Sequence, residues 1–468
     1  MTPPQKPDLI VIGAGPAGLA AASQAAGHGA KVMLLDEQSA PGGQIYRNIL
    51  SASAQQDTIL GSDYTAGRPL AADIDTKSID CRPNATVWKV GTDGAVTFNQ
   101  NGVAQQVYGS HILLATGALE RPIPLPGWTL PGVMTAGAAQ ILLKTSGLVA
   151  RDAVLAGSGP LLYLIAAQMI AAGRPPKAMI ETQTSGQFYG AMSHIGGAFP
   201  CWKQLLKGLK LIAKIRKAGV ARYKGASNIE ILGIKRAEAI SFTVKGRTHR
   251  IDTDTVLLHQ GVVPNTQITR SLGLKHRWDE KQRCFHPITD AFGQSSSKNI
   301  SIAGDGAGIL GAKVAEYSGR IAASNALALL DIITSTTRDK ETRALRRSRR
   351  KEAAIRPFLD ALYAPPPEIL RPKGKTIVCR CEEVTADDIR SYVALGCKGP
   401  NQTKAFGRSG MGPCQGRYCG ATVTEILAEE TGIHPEQIGS YRIRAPLKPV
   451  TLGELASLAA VSEKEITS

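Results

Sequence analysis

The feature that most constrains the fold is a strand, a glycine-rich turn and a helix that occur in this order twice along the chain. The apolar run Leu9–Ile12 leads into the turn Gly13–Gly18, and a second strand-like run, Lys31–Asp36, follows an Ala-rich stretch. A copy of this pattern begins at Ala153–Ala156 and turns at Gly157–Gly159. A repeated unit of this kind predicts an α/β chain with two Rossmann-like dinucleotide-binding domains of parallel strands and packed helices.

The glycines of the first copy have separate roles in holding a dinucleotide. Gly13 permits the tight turn, Gly15 lets a pyrophosphate approach the backbone, and Gly18 allows the helix to pack closely on the strand. Asp36 ends the second strand, where an acid can hydrogen-bond a ribose hydroxyl. We therefore expect dinucleotide binding at the turn formed by Gly13, Ala14, Gly15, Pro16, Ala17 and Gly18.

The second copy departs from this pattern. Its third glycine position is Leu162, which separates helix and strand or narrows the phosphate pocket and so disfavours ordinary NAD(P)H binding. Glu181 ends the following strand, and an acid there disfavours a 2′-phosphate and hence NADP. Two interpretations remain open: a unit that binds nothing, or a site for an adenine nucleotide such as NAD or ATP.

The cysteines are unevenly distributed, with five of the eight between Cys379 and Cys419. The pairs Cys379–Cys381 and Cys414–Cys419 place four thiols on two loops, which can enclose a [2Fe–2S] cluster or a zinc ion. A single residue between cysteines is less usual for zinc, so the pattern favours the cluster, with Cys379, Cys381, Cys414 and Cys419 as ligands. We expect Cys397 to be a buried thiol.

The net charge of +17 lies in two stretches. Residues Lys203–Arg250 contain 13 Lys and Arg against two Glu, and Arg338–Arg356 contains nine against three acids, so the rest of the chain is neutral. A nucleic-acid binder is therefore not expected. The two stretches are predicted to be docking surfaces for a partner subunit, or for an acidic or membrane-bound electron acceptor.

The sequence shows neither a secretory signal pattern nor a continuous transmembrane segment. Met1–Asp8 does not contain a basic region followed by an apolar region, as a secretory signal would. The uncharged stretches Leu9–Ala30 and Ala153–Gly173 are each interrupted by a Gly/Pro turn near the start. We expect a cytoplasmic protein, with peripheral membrane association left open.

Two further motifs carry a resemblance to a known superfamily. Ala115-Thr116-Gly117 follows an apolar strand, and Ala303-Gly304-Asp305-Gly306 lies at a strand-to-helix turn. The chain resembles the flavoprotein disulfide reductases with two dinucleotide domains, which implies FAD in the first unit. Beyond the glycine turn, the resemblance implies cofactor contacts from Asp36, Glu37, Gly43, Gln44, Arg47, Val87, Ala115, Thr116, Gly117, Gly304 and Asp305.

Longer runs narrow the resemblance to one family. Ala118–Pro122, Pro126–Val133, Gly157–Tyr163 and Gly412–Cys419 resemble the A (α) chains of opine oxidases. The α subunits of dye-linked proline and hydroxyproline dehydrogenases and one subunit of hydrogen cyanide synthase are similar. The cysteine region also resembles the [2Fe–2S] domain of bacterioferritin-associated ferredoxins.

This resemblance implies an electron-transfer subunit containing FAD and a [2Fe–2S] cluster, in a heteromeric opine or amino-acid dehydrogenase. Its implied partners are a catalytic β subunit with its own FAD, a small third subunit, and a quinone or dye-like acceptor. Some relatives hold FMN at a subunit interface, and no catalytic base is assigned to this chain. The alternatives are a self-contained NAD(P)H-dependent reductase, one subunit of a hydrogen cyanide synthase, and a non-catalytic iron–sulfur scaffold.

The expected organisation combines these parts. We predict an α/β fold of two Rossmann-like domains with a small, α-rich cysteine domain appended. The expected boundaries are 1–125 with 285–335 for the FAD domain, 126–284 for the second domain, 336–373 for a basic, Pro-rich linker, 374–430 for the [2Fe–2S] domain, and 431–468 for a tail.

Overall fold

The structure, a computed structural model, describes residues 6–74 and 77–458. Its β-sheets consist of short strands. In chain order the strands are β1 (Leu9–Ile12), β2 (Val32–Leu35), β3 (Ile79–Arg82), β4 (Thr86–Val90), β5 (Ala95–Gln100), β6 (Val103–Tyr108), β7 (His111–Leu114), β8 (Ala118–Glu120), β9 (Val133–Thr135), β10 (Val154–Ser158), β11 (Ala178–Glu181), β12 (Ala221–Lys224), β13 (Ser227–Leu232), β14 (Ala239–Val244), β15 (Arg247–Asp252), β16 (Val256–Gln260), β17 (Val262–Pro264), β18 (His276–Asp279), β19 (Cys284–Pro287), β20 (Ile300–Ile302), β21 (Ile377–Cys379) and β22 (Val384–Thr385).

Helices separate and cover these strands. They are α1 (Pro16–Gly27), α2 (Ala54–Leu60), α3 (Ser62–Thr65), α4 (Arg68–Ala72), α5 (Ala136–Ser146), α6 (Pro160–Ala171), α7 (Ser185–Met192), α8 (Ile195–Ala198), α9 (Trp202–Lys217), α10 (Gln267–Ser271), α11 (Ala312–Leu329), α12 (Ser335–Ala353), α13 (Arg356–Leu362), α14 (Pro367–Leu370), α15 (Ala386–Ala394), α16 (Pro400–Gly407), α17 (Gly420–Thr431) and α18 (Pro435–Ile438). Within the described residues, none of these helices combines the length and apolar character needed to span a bilayer.

The first sheet confirms the first predicted unit. Its five strands are all parallel, in the order β20-β7-β1-β2-β3. β1 is fully buried between β2 and β7, which explains why its sequence is continuously apolar. The turn after β1 and the helix α1 lie at the carboxyl end of this central strand, where α/β sheets bind ligands.

The second sheet confirms the repeat. It is also five-stranded and parallel, in the order β12-β11-β10-β16-β9, with β10 at its centre. Antiparallel three-stranded sheets follow in each half, β4-β5-β6 in the first and β13-β14-β15 in the second. The fold is therefore the predicted pair of Rossmann-like α/β units.

The cysteine region is a small α-rich unit that packs on the first sheet. Ile10 of β1 and Ile300 of β20 belong to the same apolar cluster as Val378 of β21 and Val423 of α17. A helix follows each cysteine pair: α15, which has a capping box at Thr385, and α17. The unit is thus continuous with the core of the first domain.

The segments before and after the cysteine unit are also folded and pack against other parts of the protein. Residues 336–373, expected to be a linker, form most of α12 and the helices α13 and α14, of which α12 packs on α11 and α13 on α7. Beyond residue 430, Tyr441 is buried and its hydroxyl lies 3.0 Å from Thr403 Oγ1. A Cβ added at Gly416 would lie 2.2 Å from the Tyr441 ring, so this segment packs directly on the second cysteine loop.

Replacing Gly18 with Ala tests the close packing of α1 on the first turn. The added Cβ would lie 1.8 Å from the Gly13 carbonyl oxygen, so the backbone of the turn or of α1 would have to shift. We expect Gly18→Ala to lower the free energy of unfolding by about 3 kcal/mol or more, measured by denaturant titration.

Gly27→Ala, on the same helix, is the matched control because its Cβ would meet open space. It should change the free energy of unfolding by less than about 1 kcal/mol. Equal stability of the two variants would contradict the packing argument.

Candidate functional site

A cavity of about 1150 Å³ extends from the carboxyl end of the first sheet toward α5, α6 and α9. Its wall contains most of the residues predicted to contact the cofactor, which come from well-separated parts of the chain. These are Gly13, Gly15, Pro16, Ala17, Asp36, Glu37, Gly43, Gln44, Arg47, Val87, Ala115, Thr116, Gly117, Gly304 and Asp305. Ala14 and Gly18 are buried behind this wall, where Gly18 packs on Gly13.

Asp36 supports the first turn from the end of β2. One of its carboxylate oxygens accepts the N–H of Ala14 at 2.5 Å, and the other accepts the N–H of Gln38 at 2.7 Å. Burial raises the pKa of the Asp36 carboxyl, while these two N–H groups and the charges of Arg47 and Lys448 act in the opposite direction. The acid therefore links the turn to the strand end beside the cavity.

The loop Gly42–Arg47 reaches the first turn at Gly43. A Cβ there would lie 2.7 Å from Gly15 Cα, and the backbone has φ of +59°, so both contact and conformation favour glycine. Lys144 of α5 fastens the next residues, because its Nζ donates to the carbonyl oxygens of Gln44 and Ile45 at 2.9 Å each. Burial lowers the pKa of Lys144 to about 7.

Asp305 fixes the turn between β20 and α11. One carboxylate oxygen accepts the N–H groups of Leu310 and Gly311 at 3.0 and 3.1 Å. Burial raises the pKa of the Asp305 carboxyl, which these two N–H groups lower in part. The second carboxylate oxygen accepts no hydrogen bond from the described residues, and Asp305 lies in the cavity wall.

Arginine side chains line the cavity with unused donors. Arg47, Arg356 and Arg417 each have a buried Nε–H with no hydrogen-bond partner among the described residues. Lys448 joins them at the Asp36 end, where it forms an ion pair with Glu37. Other nitrogens of these three guanidinium groups donate to Gln38, Asp360 and the Leu447 carbonyl oxygen, respectively. The positive charge that they bring to a cavity with a glycine-rich turn fits a phosphate-bearing dinucleotide. The sequence did not reveal Arg356 or Lys448, because they lie outside any recognisable motif, and Arg417 lies in the Gly412–Cys419 motif, which predicted cysteine ligands and gave no sign of a cavity contact.

The cysteine loops bring the four predicted ligands together as two pairs. The Cys379 thiol lies beside Cys419, and the Cys381 thiol beside Cys414. Interaction with Cys419 lowers the pKa of the Cys379 thiol to about 6, with help from backbone N–H groups. Cys397 is buried, and its thiol donates within its own loop to the carbonyl oxygen of Gly399 at 3.5 Å.

The two loops touch at Gly412, where a Cβ would lie 2.3 Å from Cys381 Cβ. Within residues 6–74 and 77–458, no set of three or more His, Cys, Asp or Glu side chains is grouped closely enough to hold a metal ion. Four thiols on two adjoining loops nevertheless have the donor chemistry that an iron–sulfur cluster requires.

The second cysteine loop forms part of the cavity wall. Arg417 and Tyr418, which lie between Cys414 and Cys419, line the cavity together with Gly13 and Thr116. Gln267, which also lines it, donates from Nε2 to the Cys414 carbonyl oxygen at 3.5 Å. The cavity and the cysteine loops are therefore directly adjacent, an arrangement that the sequence did not reveal.

The ribose position of the second unit is occupied by protein groups. The Glu181 side chain is fully buried, Arg222 donates to its two oxygens at 2.6 and 2.8 Å, and the Tyr163 hydroxyl donates to it at 2.6 Å. Releasing a buried carboxylate from such partners costs several kcal/mol. The acid that ends β11 is thus a core ion pair.

The glycine turn of the second unit packs closely against neighbouring side chains. Leu162 is fully buried among the residues packed behind β10. A Cβ at Gly159 would lie 3.0 Å from the His259 ring, which is itself held by Glu120 at 2.6 Å. These contacts favour the interpretation that this unit binds no nucleotide.

Comparison with known proteins agrees with the fold. Residues 7–181 match the family described as pyridine nucleotide-disulphide oxidoreductase, and residues 373–459 match the sarcosine oxidase A3 domain. Among solved structures, L-proline dehydrogenase from P. horikoshii covers 96% of this chain, and the match covers 79% of that chain, with a TM-score of 0.69 and 17% identity. This likeness concerns the fold. With the cavity described above, these matches define a flavoprotein oxidoreductase and support FAD as its cofactor.

The curated relatives are more specific. The opine oxidase A chain of Agrobacterium tumefaciens (strain Ach5) is 46% identical over 96% of this chain and 92% of its own length. The opine oxidase A chain of Rhizobium meliloti is also 46% identical, over 96% and 87%. Hydrogen cyanide synthase subunit HcnB of Pseudomonas aeruginosa is 33% identical over 96% and 98%. The protein belongs to the family of opine oxidase A chains.

Replacing Lys144 with Met tests the anchoring of the Gly42–Arg47 loop. The variant loses the ammonium that holds the Gln44 and Ile45 carbonyls, so we expect the Kd for FAD to rise about 10-fold or more. The measurement is FAD release and rebinding followed by flavin fluorescence. Lys89→Met, at an exposed position of β4, is the control, and an unchanged Kd in Lys144→Met would contradict the anchoring role.

Because protein side chains fill the expected nucleotide position of the second unit, we predict that NADH and NADPH neither bind this protein nor reduce its flavin. Excess NADH or NADPH, added to the FAD-loaded chain without air, should leave the flavin absorbance band unchanged, and neither should bind in calorimetry. Reduction by dithionite is the control that shows a working flavin. Prompt bleaching by NADH would instead favour a self-contained reductase.

Proposed function

We propose that this chain is the electron-transfer subunit of a heteromeric opine or amino-acid oxidase. Its FAD would receive electrons from substrate that a separate β subunit, with its own FAD, oxidises at a C–N bond. The curated relatives are named as single subunits of opine oxidase and of sarcosine oxidase, which supports a hetero-oligomer. A small third subunit, an FMN at the subunit interface, a quinone or dye-like acceptor and a cytoplasmic location belong to the same proposal.

The observation that carries this proposal is the position of the second cysteine loop in the wall of the flavin cavity. Arg417 and Tyr418 face the cavity from between two proposed cluster ligands, and Gln267 connects the wall to Cys414. Proximity of this kind is what a relay between two redox groups needs. A hydrolase or a simple binding module would have no use for it.

Different residues of this chain would bind different parts of the cofactor. The Gly13–Gly18 turn and the N-terminus of α1 bind the pyrophosphate, Asp36 orients the ribose, and Asp305 holds the turn on the opposite side. Arg356 and Arg417 supply charge-assisted donors in a buried site. Their task is to bind and orient the cofactor and to exclude water from it.

The cysteine pairs would hold a [2Fe–2S] cluster through Cys379, Cys381, Cys414 and Cys419. Such a cluster exchanges single electrons, whereas FAD exchanges one or two, so together they connect a two-electron donor to a one-electron acceptor. The backbone N–H groups that lower the pKa of Cys379 would also stabilise a thiolate ligand. Cys397, which is paired with none of these four, would not be a ligand.

The ligand assignment is tested by replacing one proposed ligand. Cys414→Ser should remove the iron–sulfur signal in electron paramagnetic resonance and most of the bound iron, while FAD remains bound. Cys397→Ser, a buried thiol of the same unit, is the matched control and should keep the full signal. Full iron content in Cys414→Ser, or its loss only in Cys397→Ser, would contradict the assignment.

The subunit role is tested with the protein purified together with its native partner chains. An opine or amino-acid substrate should bleach the flavin of the assembled complex and leave that of the isolated chain oxidised. In a complex carrying Cys414→Ser, substrate should still reduce the flavin, but reduction of an external dye should slow by at least about 100-fold. Substrate oxidation by the isolated chain would overturn the proposal.

A further inference from the structure

One face of α9 exposes large apolar side chains beside lysines that form no ion pair with the described residues. Trp202, Leu206 and Leu209 are spaced by four and three residues, so they share a stripe, and all three are exposed. Lys203 and Lys210 lie one position after two of them and form the adjoining stripe. We call these five residues the α9 face.

The apolar side chains of α9 are more numerous than its packing uses. Leu211, Ile212 and Ile215 already pack on the core of the second domain. The exposed stripe of Trp202, Leu206 and Leu209 therefore lies outside that core, and Leu209 keeps 62% of its surface accessible. Contiguous apolar surface of this kind marks an interaction site.

Further exposed aromatic residues lie on the elements directly before α9. Phe188 and Tyr189 are on α7, and Phe199 lies in the turn that leads into α9; Tyr189 and Phe199 are 74% and 76% exposed. α7, α8 and this turn pack on one small cluster that includes Ala191 and Cys201, so they extend the same part of the surface.

Basic residues outnumber acids on this surface, where Asp63 pairs with Lys207 and Glu352 of α12 accepts a hydrogen bond from Gln204 of α9. Residues 182–229 contain no Asp or Glu. In the described part of the chain, Lys203, Lys210 and Lys214 have no carboxylate partner, whereas Lys207 is paired with Asp63. The surface therefore attracts an extended negative partner.

We propose that the α9 face binds an anionic lipid surface, with Trp202, Leu206 and Leu209 inserted at the headgroup boundary. Lysines beside Trp, Phe and Leu on an exposed helix are typical of helices that lie in the membrane interface. Protein interfaces are instead depleted of Lys and enriched in Arg, and the cations of the α9 face are both lysines. Lysine stems also extend along apolar surface while the ammonium groups reach the phosphates.

The same helix borders the flavin cavity. Gln204, Lys207, Leu211 and Lys214 of α9 line that cavity on the side of the helix next to the α9 face. Docking would thus place the cavity near the bilayer, where a lipid-soluble acceptor such as a quinone is found. This consequence for the acceptor depends on the proposed function, whereas lipid binding itself does not.

The test is co-sedimentation of the FAD-loaded chain with vesicles. We expect binding to vesicles of equimolar phosphatidylcholine and phosphatidylglycerol, weak binding to phosphatidylcholine alone, and release by salt. Lys203→Glu with Lys210→Glu should lower the partition coefficient about 10-fold or more. Leu206→Gln with Leu209→Gln should lower it on anionic vesicles without altering its salt dependence.

Lys340→Glu with Lys351→Glu, exposed lysines of the basic helix α12, is the matched control because it changes the net charge equally. It should retain more than half of the wild-type binding. All variants should keep the flavin spectrum and the Tm of the wild type, which separates loss of binding from misfolding.

Failure of the wild-type protein to bind anionic vesicles would overturn the proposal, as would an equal loss in the α12 control. If the α9 variants instead released a co-purified partner subunit while vesicle binding was absent, the face would be a subunit interface and the lipid proposal wrong. Flavin reduction by substrate in the assembled complex is measured separately, so the proposed function stands or falls independently.

Discussion

The site depends on the close contact between α1 and the backbone around it. A side chain at Gly18 would collide with the Gly13 carbonyl oxygen, and one at Gly319 would lie 2.0 Å from the Ala17 carbonyl oxygen. α1 is therefore pressed between the first turn and α11, and Gly304 lies against the Ala17 side chain. This contact brings the first turn, the start of α1 and the turn at Gly304 close enough together to contact one ligand. Larger side chains at these positions would separate them.

The parts of the site that could be predicted are those set by local backbone requirements. Turns that need Gly13 or Gly43, and a strand that ends in Asp36, leave a pattern within a short stretch of sequence. The groups that complete the cavity do not, because Arg356 and Lys448 arrive from distant segments and are ordinary basic residues locally, and the motif that contains Arg417 predicts cysteine ligands. Their role follows from tertiary packing, such as the Tyr441 ring that fills the space beside the glycines of the second cysteine loop.

The two Rossmann-like units show why a similar local pattern permits different outcomes. Asp36 and Glu181 end equivalent strands, but Asp36 accepts backbone N–H groups beside an open cavity, whereas Glu181 is saturated by Arg222 and Tyr163. The difference lies in the partners, and the partner Arg222 is on β12, 41 residues away. Leu162 was a visible signal of divergence, but closure of the ribose position was not.

The basic residues of α12 and those of α9 also have different structural roles. In α12, Arg338 and Arg346 stack on the Phe292 ring at 4.4 and 4.9 Å, and Arg349 donates to the Ala291 carbonyl oxygen, so these arginines help to fasten the helix to the body of the protein. Among the described residues, Lys210 of α9 has no such partner, and Lys203 meets the exposed ring of its neighbour Trp202 at 6.0 Å from the ring centre. Cations already engaged by rings and carbonyls gain less from a new anionic partner than solvated lysines do. For this reason the net charge of the chain points to α9, and less to α12, as the surface for an anionic partner.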